Sequence, residues 1–325
     1  MSRVAVLKGG RSLEREVSLR SGARVEDALE RLGHDVVPID VGPDLVERLA
    51  DESPEVAFVA LHGRDGEDGT VQEILELVGV PYTASGPSAC IRCFDKVLAK
   101  HDLRDAGIPT PDFYAFNQTA FESLGAGHAL PAIEERLDFP VVVKPAAQGS
   151  SLGIKFARTP ADVPAAIVAA FSYDTKVLLE RHVAGRDLAV SVLDGPAGMP
   201  PEALPIVEAI PRDGDRYDFE ARYEIGRTEF TCPAALDDET AAQAQAIALD
   251  AYRVLGCYGF ARVDLMLDAT TGELTVLEAN AIPGLTNTSL LPQAAEAAGL
   301  SFEALVERIL EQAAARGAVT RPRRV

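Results

Sequence analysis

The sequence predicts an α/β chain that becomes α+β in its C-terminal parts, arranged as three lobes over 1–86, 87–183 and 184–325. Three observations predict it. A short apolar strand, a glycine turn and a helix open the chain, which is how a Rossmann-like lobe begins. The turn Tyr82-Thr-Ala-Ser-Gly-Pro87 marks a boundary. Later apolar runs at Leu188–Leu193, Ala203–Ile210 and Thr228–Thr231 read as strands of a large, mostly antiparallel sheet.

In the first lobe, Arg3–Leu7 is a strand running into Lys8-Gly9-Gly10, and a helix follows over about Val17–Leu32. Val36–Ile39 and Val56–Ala60 are further buried strands. The second leads into Leu61-His-Gly-Arg-Asp-Gly-Glu-Asp-Gly69, and open α/β sheets bind ligands on such loops at the C-terminal ends of their strands. Val71, Ile74, Leu75 and Val78 then recur at helical spacing. The fingerprint G-x-G-x-x-G is absent, which argues against a nicotinamide cofactor.

The second lobe starts with helical sequence through Asp105 that contains Lys96; Pro109 and Pro111 end it. Phe113–Phe116 is a strand, a helix lies near Leu130–Arg136, and the strand Pro140–Lys144 delivers Lys144 to the loop Gln148-Gly-Ser-Ser-Leu-Gly153. Glycines beside hydroxyls and backbone N–H groups can fold over phosphates, although this is no Walker A sequence. Ala161–Phe171 is a helix and Lys176–Glu180 a strand. Gly185 begins the crossing into the last lobe, where Pro211–Gly226 is long and polar enough for a lid. Asp238–Leu255 is a helix, a further amphipathic helix carries Phe302, Leu305, Val306, Ile309 and Leu310, and the basic tail from Arg321 is expected to be disordered.

The most informative stretch is Gly259–Gly284, two strands at Phe260–Leu267 and Glu273–Asn280 joined by a polar turn. Residues two apart on a strand share a face. Arg262 and Asp264 therefore point one way, as do Glu278 and Asn280, while Ala261, Val263, Leu265, Leu277 and Ala279 form the apolar side. Two carboxylates and an amide oxygen make a hard donor set suited to Mg²⁺ and phosphate oxygens. Taken alone, such a hairpin also fits a solvated surface with an Arg–Asp pair.

Composition narrows the classes. Hydrophobic residues make up 47% and charged residues 25%, as in globular proteins, and 325 residues are enough for more than one domain. A formal charge of −19 argues against nucleic acid or an anionic membrane as partner. With no signal peptide or spanning run, the expected location is the cytoplasm. Cys90, Cys93, Cys232 and Cys257 fit there as free thiols, and the C-x-x-C of Cys90 and Cys93 lacks a second pair that would make it a metal site.

Arg262-x-Asp264-x-Met-Leu-Asp268, Leu277-Glu-Ala-Asn280 and Pro283-Gly-Leu-Thr-x-x-Ser-Leu-Leu-Pro292 together resemble the C-terminal part of the ATP-grasp enzymes, specifically the D-alanine:D-alanine ligases. Glu14-Arg-Glu-Val-Ser-Leu19, the His62 loop, Gly149-Ser-Ser-Leu-Gly153 and Glu220-Ala-Arg-Tyr223 extend the resemblance from Val4 to about Leu310. It implies an ATP-grasp fold and an ADP-forming ligase that joins two D-alanines through an acyl phosphate for peptidoglycan precursors. It also implies ATP, two Mg²⁺ or Mn²⁺ ions, stimulation by K⁺ and a homodimer built on the N-terminal lobe.

By the same resemblance, Lys96, Lys144, Ser150, Ser151 and Arg222 serve the phosphates, Glu180 and Val183 meet adenine, and Asp187 meets ribose. Asp264, Glu278 and Asn280 carry metal. Glu14 and His62 bind the first D-alanine, Glu14, Ser150 and Tyr223 form a hydrogen-bonded set there, Arg262 and Gly284 form the oxyanion site, and Ser289 and Leu290 lie near the second D-alanine. Three positions depart from the usual pattern: Arg222 replaces Lys, His182 an aromatic and Asp187 a Glu. The nearest alternative is a related dipeptide or depsipeptide ligase with D-serine, D-lactate or another acceptor. Tyr223 speaks against D-lactate. A non-catalytic ATP-binding regulatory module is the reading from a different class.

Overall fold

Val4, Ala5, Val6 and Leu7 have no exposed surface, as expected for a parallel strand covered on both faces. They belong to the middle strand of the first of three sheets. The computed structural model describes residues 1–196, 199–211 and 228–317. The expected lid Pro211–Gly226 and the tail from Arg321 lie almost wholly outside those residues.

The first sheet takes its strands from β1 (Arg3–Lys8), β2 (Asp35–Asp40) and β3 (Val56–Val59), in the order β2-β1-β3 and all parallel. Helices α1 (Arg15–Arg31), α2 (Leu45–Glu52) and α3 (Thr70–Val78) connect and cover them. The turn expected to begin at Tyr82 starts later: Tyr82 bridges Ala57 in parallel, and Tyr82 and Thr83 are buried against β3.

The single helix expected through Asp105 is two, α4 (Pro87–Phe94) and α5 (Lys96–Asp105). Asp95 divides them because its carboxylate accepts from Val97 N–H and Leu98 N–H as the cap of α5. After β4 (Phe113–Asn117), α6 (Gln118–Ser123) and α7 (Leu130–Glu134), the second sheet is completed by β5 (Val141–Pro145), β6 (Lys155–Ala157), α8 (Val163–Ala170) and β7 (Lys176–Arg181). Its order is β4-β7-β5-β6, antiparallel throughout.

The third sheet is antiparallel, β11-β10-β8-β12-β13, with β9 paired to β8. Its strands are β8 (Gly185–Leu193), β9 (Glu202–Ala203), β10 (Val207–Pro211), β11 (Thr228–Thr231), β12 (Phe260–Asp268) and β13 (Leu274–Asn280). The strand expected over Ala203–Ile210 is thus two pieces; Pro205, which cannot donate to a ladder, sits in the gap. Helix α9 (Asp238–Val254) precedes the hairpin, and α10 (Leu290–Ala297) and α11 (Phe302–Arg316) end the described chain.

One apolar core runs through elements of the first and third sheets, and α11 returns to pack on α1 and β3. The second sheet has its own core around Val141, Ile167 and Leu179. Among the described residues, no helix is long and apolar enough to cross a membrane.

Gly185 lies where the second sheet hands over to the third. It pairs with Asp268, and a Cβ there would collide with the backbone carbonyl of Leu267. Gly185→Ala should lower the unfolding free energy by about 1–3 kcal/mol, the usual penalty for overpacking. A thermal melt measures it, and an unchanged midpoint would show that the strand end moves aside freely.

Candidate active site

In the order β2-β1-β3 the chain reverses direction beside β1, and open sheets leave a crevice at the C-terminal ends of the strands at such a point. Glu14 follows β1 and His62 follows β3, so both arrive at that crevice. Glu14 precedes α1 but does not cap it with its side chain. Instead, Ser150 on the loop after β5 donates to Glu14 Oε1 in a very short hydrogen bond. The other carboxylate oxygen, Oε2, is buried and has no partner among the described residues.

The loop is shaped for this contact. Ser150 and Ser151 both take left-handed backbone conformations, with φ of 52° and 58°, which non-glycine residues seldom adopt. A Cβ at Gly149 would sit 2.6 Å from Glu14 Oε2, so only glycine allows the loop this close. Burial, and then the charge of Glu67, push the Glu14 carboxyl up to about 7 against the Ser150 hydrogen bond and the pull of His62 and Lys96.

His62 is held from both sides. Ser21 Oγ, from α1, accepts from Leu285 N–H at 3.2 Å and lies 2.9 Å from His62 Nε2. On the other side of the ring, Nδ1 lies 3.4 Å from Glu67 Oε1. Glu67 also accepts from Gly63 N–H at 3.1 Å. Arg24 adds hydrogen bonds to the carbonyls of Leu285 and Thr286, fixing the turn that contains Gly284.

On the hairpin, Arg262 pairs with Asn280 and Asp264 with Glu278 across the strands, so the four polar residues share one face. The apolar side needs one correction. The register slips after Asp264, and Leu265 pairs with Val276, which leaves Leu277 as the extra residue of a bulge, half-buried rather than in the core row. Asp264 receives both Nε and Nη2 of Arg262, at 2.6 and 2.8 Å. Lys96 Nζ lies 3.2 Å from Glu278 Oε2 and donates to the carbonyl of Gln148 at 2.7 Å. Asn280 Oδ1 accepts from Ile282 N–H. The Arg–Asp pair of the plainer expectation is real, but it is buried rather than solvated. Among the described residues, no three His, Cys, Asp or Glu side chains gather into a metal cluster. Two carboxylates and an amide oxygen on one face still suit a hard divalent ion, which would compete with Lys96 and Arg262 for them.

Lys144 and Glu180 meet on neighbouring strands of the second sheet, with Lys144 Nζ 2.5 Å from Glu180 Oε1. Lys100 of α5, which carried no signal in the sequence beyond an ordinary helix lysine, stands 2.8 Å from the other oxygen. Burial pushes the Glu180 carboxyl up, but Lys100 and Lys144 outweigh it and hold the group below its ordinary value.

Glu14, His62, Lys96, Ser150, Arg262, Glu278, Asn280 and Gly284 line one cleft. Glu67, Cys93, Phe94 and Gln148 line it as well and were given no role at the site from the sequence, although Glu67 stood inside the glycine-rich motif and Gln148 opened the Ser150 loop. Cys93 Sγ lies 3.6 Å from Cys257 Sγ, and all four cysteines are free thiols. Ser289 and Leu290 are not in the cleft wall. Ser289 Oγ accepts from Thr286 N–H, and Leu290 begins α10 as a buried residue. Val183 is buried after β7, Asp187 stands on β8 opposite Met266, and His182 meets the ring of Phe156 edge-on at 5.5 Å. Arg222 and Tyr223 lie outside the described residues.

Three sheets around one cleft, with a glycine loop set against buried lysines and a carboxylate-bearing hairpin, define the ATP-grasp class. The sequence matches the family model for the D-ala D-ala ligase C-terminus over residues 103–311 and that for the N-terminus over 44–85. The chain belongs to the D-alanine:D-alanine ligase family. It is 45% identical over 314 residues to the D-alanine--D-alanine ligase of Syntrophotalea carbinolica, covering 97% of each chain. It is 42% identical to that of Moorella thermoacetica, over 96% of this chain and 99% of the relative. Among solved structures, the Bacillus anthracis D-alanine--D-alanine ligase complexed with ATP superposes with a TM-score of 0.78 at 32% identity, covering 96% of this chain and 97% of that one. The VanG D-Ala:D-Ser ligase of Enterococcus faecalis gives 0.79 at 28% identity, covering 96% and 99%.

The Glu14 environment has a measurable consequence. A carboxyl raised from 4.5 to about 7 makes the ligand-free fold less stable at pH above 7, and the penalty fades as pH falls towards 4.5. Glu14→Gln should therefore stabilise the ligand-free protein at about pH 8 by on the order of 2–3 kcal/mol, and by less at about pH 5.5. Chemical denaturation at the two pH values tests this. A pH-independent difference would mean that Glu14 titrates in the ordinary range.

Proposed function

We propose that this chain joins two D-alanine molecules into D-alanyl-D-alanine, using ATP and forming ADP, in the supply of peptidoglycan precursors. The observation that carries this reading is the Glu14–Ser150 contact with its unpartnered second oxygen. A buried carboxylate oxygen without a donor suits an ammonium group, and pairing with one offsets the burial that raises the Glu14 carboxyl. The carboxylate of that amino acid attacks the γ-phosphate, and the amine of the second displaces phosphate from the acyl phosphate. His62 lies at the same end of the cleft for the first substrate.

Arg262 and the backbone at Gly284 face the carbonyl oxygen on which negative charge grows. Donors fixed before the reaction stabilise such charge without rearranging during it. Lys96 and Lys144 neutralise phosphate, and Glu180 takes the base. Asp264, Glu278 and Asn280 would hold Mg²⁺ or Mn²⁺, which supplies charge neutralisation at the transferring phosphoryl group. A homodimer through the first lobe completes the reading and is open to sedimentation analysis.

Overall shape does not select the acceptor, because a D-Ala:D-Ser ligase superposes as well as a D-alanine--D-alanine ligase does. A screen of D- and L-amino acids and D-hydroxy acids with ATP, read by product mass, tests the proposal; ATP hydrolysis without any ligated product would sink it. In the same assay Tyr223→Phe should gain D-alanyl-D-lactate synthesis by about tenfold or more relative to the dipeptide, the scale of one hydrogen bond to a charged partner. An unchanged product ratio would assign the choice of acceptor elsewhere.

The metal assignment is best tested at Glu278. Asp264→Asn would also weaken the buried ion pair that Asp264 makes with Arg262, a loss of folding stability in its own right. Glu278 is only partly buried, and Glu278→Gln should keep the fold while lowering turnover by about a hundredfold or more. Near-normal turnover at saturating Mg²⁺ would remove Glu278 from the metal set.

A further inference from the structure

Lys100 and Lys144 both press on one carboxylate, Glu180, and all three side chains are at most 5% exposed. One carboxylate balances one lysine, so the trio carries a surplus positive charge inside the protein. Burial pulls the Lys100 ammonium down to about 8 in spite of Glu180. Such an arrangement is costly unless an anion arrives to take one of the cations.

The two lysines are not equivalent. Among the described residues Lys144 has Glu180 as its partner and sits at the end of β5, where the Ser150 loop begins. Lys100 is anchored a second time. Its Nζ donates to Thr110 Oγ1 at 2.7 Å, and that hydroxyl donates to the carbonyl of Val276 at 2.8 Å. Val276 N–H in turn donates to the carbonyl of Pro109. Val276 adjoins the bulge at Leu277, next to Glu278. Lys100 thus connects a carboxylate of the second sheet to the hairpin strand that carries Glu278.

We propose that Lys100 is a positioning residue for nucleotide recognition: anchored on Thr110, it holds the Glu180 carboxylate in place when phosphate draws Lys144 away. The inference rests on the reading of Lys144 and Glu180 as nucleotide contacts. Lys100 itself touches no substrate. Without it, Glu180 keeps only Lys144, and Glu180 and the phosphates compete for that lysine. With it, the carboxylate stays charged and aimed at the amino group of adenine.

The test compares Lys100→Met, Glu180→Gln and the double variant by KM for ATP, KM for D-alanine, kcat, and preference for ATP over inosine triphosphate, whose base presents an oxygen instead of the amino group. Lys100→Met should raise KM for ATP about tenfold or more, the scale of one hydrogen bond to a charged group, and reduce the ATP preference. Its kcat should stay within about threefold and its KM for D-alanine unchanged, a split that loss of general stability would not produce. The double variant should be no worse than Glu180→Gln alone, since residues acting as one unit are not additive. If Lys100→Met does not fold, Thr110→Val loosens the anchor instead and should raise KM for ATP about threefold; no change there overturns the inference. Normal ATP dependence and base preference in folded Lys100→Met, with Glu180→Gln impaired, overturn the role of Lys100 and leave the nucleotide reading standing. Normal ATP dependence in Glu180→Gln overturns both.

Discussion

A charge removed from water needs a counter-charge, and the cleft of this protein is organised by that requirement. Glu14, Glu180, Asp264 and Glu278 are carboxylates in or beside it; Lys96, Lys100, Lys144 and Arg262 are the cations. The chain as a whole is strongly acidic, at −19, yet its buried cations are gathered in one place. A negative surface keeps the protein soluble, while a local cationic interior is what a polyphosphate requires. Three of the four pairs cross between elements, α5 to β7, α5 to β13 and β5 to β7, while Arg262 and Asp264 share β12. The Lys96–Glu278 pair also ties the second lobe to the hairpin of the third.

In this state the protein's own cations occupy the oxygens that would take metal, and the protein's own carboxylates occupy the lysines that would take phosphate. Substrate binding is then an exchange of partners rather than the creation of charge contacts in an empty space. Under the proposed roles, exchange limits the reorganisation needed at the moment of reaction, and an arriving phosphate also offsets the surplus cation that Lys100 and Lys144 leave around Glu180. Glu14 is the acidic counterpart of that imbalance. It is buried with a second carboxylate, Glu67, near it and one oxygen unpartnered, and its raised carboxyl records that imbalance. An arriving ammonium is the natural remedy.

Backbone geometry sets the precision of the exchange. Left-handed Ser150 and Ser151, with glycine at position 149, bring the loop onto Glu14. The bulge at Leu277 lets β13 keep Glu278 and Asn280 opposite Asp264 and Arg262 while Val276 returns to the core and offers its carbonyl to Thr110. Without the slip, one register would have to serve both the polar face and the apolar one along the whole strand.

Much was legible in the sequence wherever the physics is local or periodic. Two-residue alternation placed Arg262, Asp264, Glu278 and Asn280 on one face, and strand–glycine–helix order located Glu14 and His62 at strand ends. Motif resemblance named the family. Local reasoning erred where a single side chain or backbone defect intervened: Asp95 capping α5 split one expected helix, and the bulge moved Leu277. What depends on contacts between distant segments was decided only by the tertiary structure. Ser21, Glu67 and Lys100 look like ordinary helix and loop residues until packing brings Ser21 to His62 and Leu285, Glu67 to His62, and Lys100 to Glu180 and Thr110. A sequence determines which charges a chain carries and which face each strand presents; which charge neutralises which is settled only when separate sheets close on one another and water is removed between them.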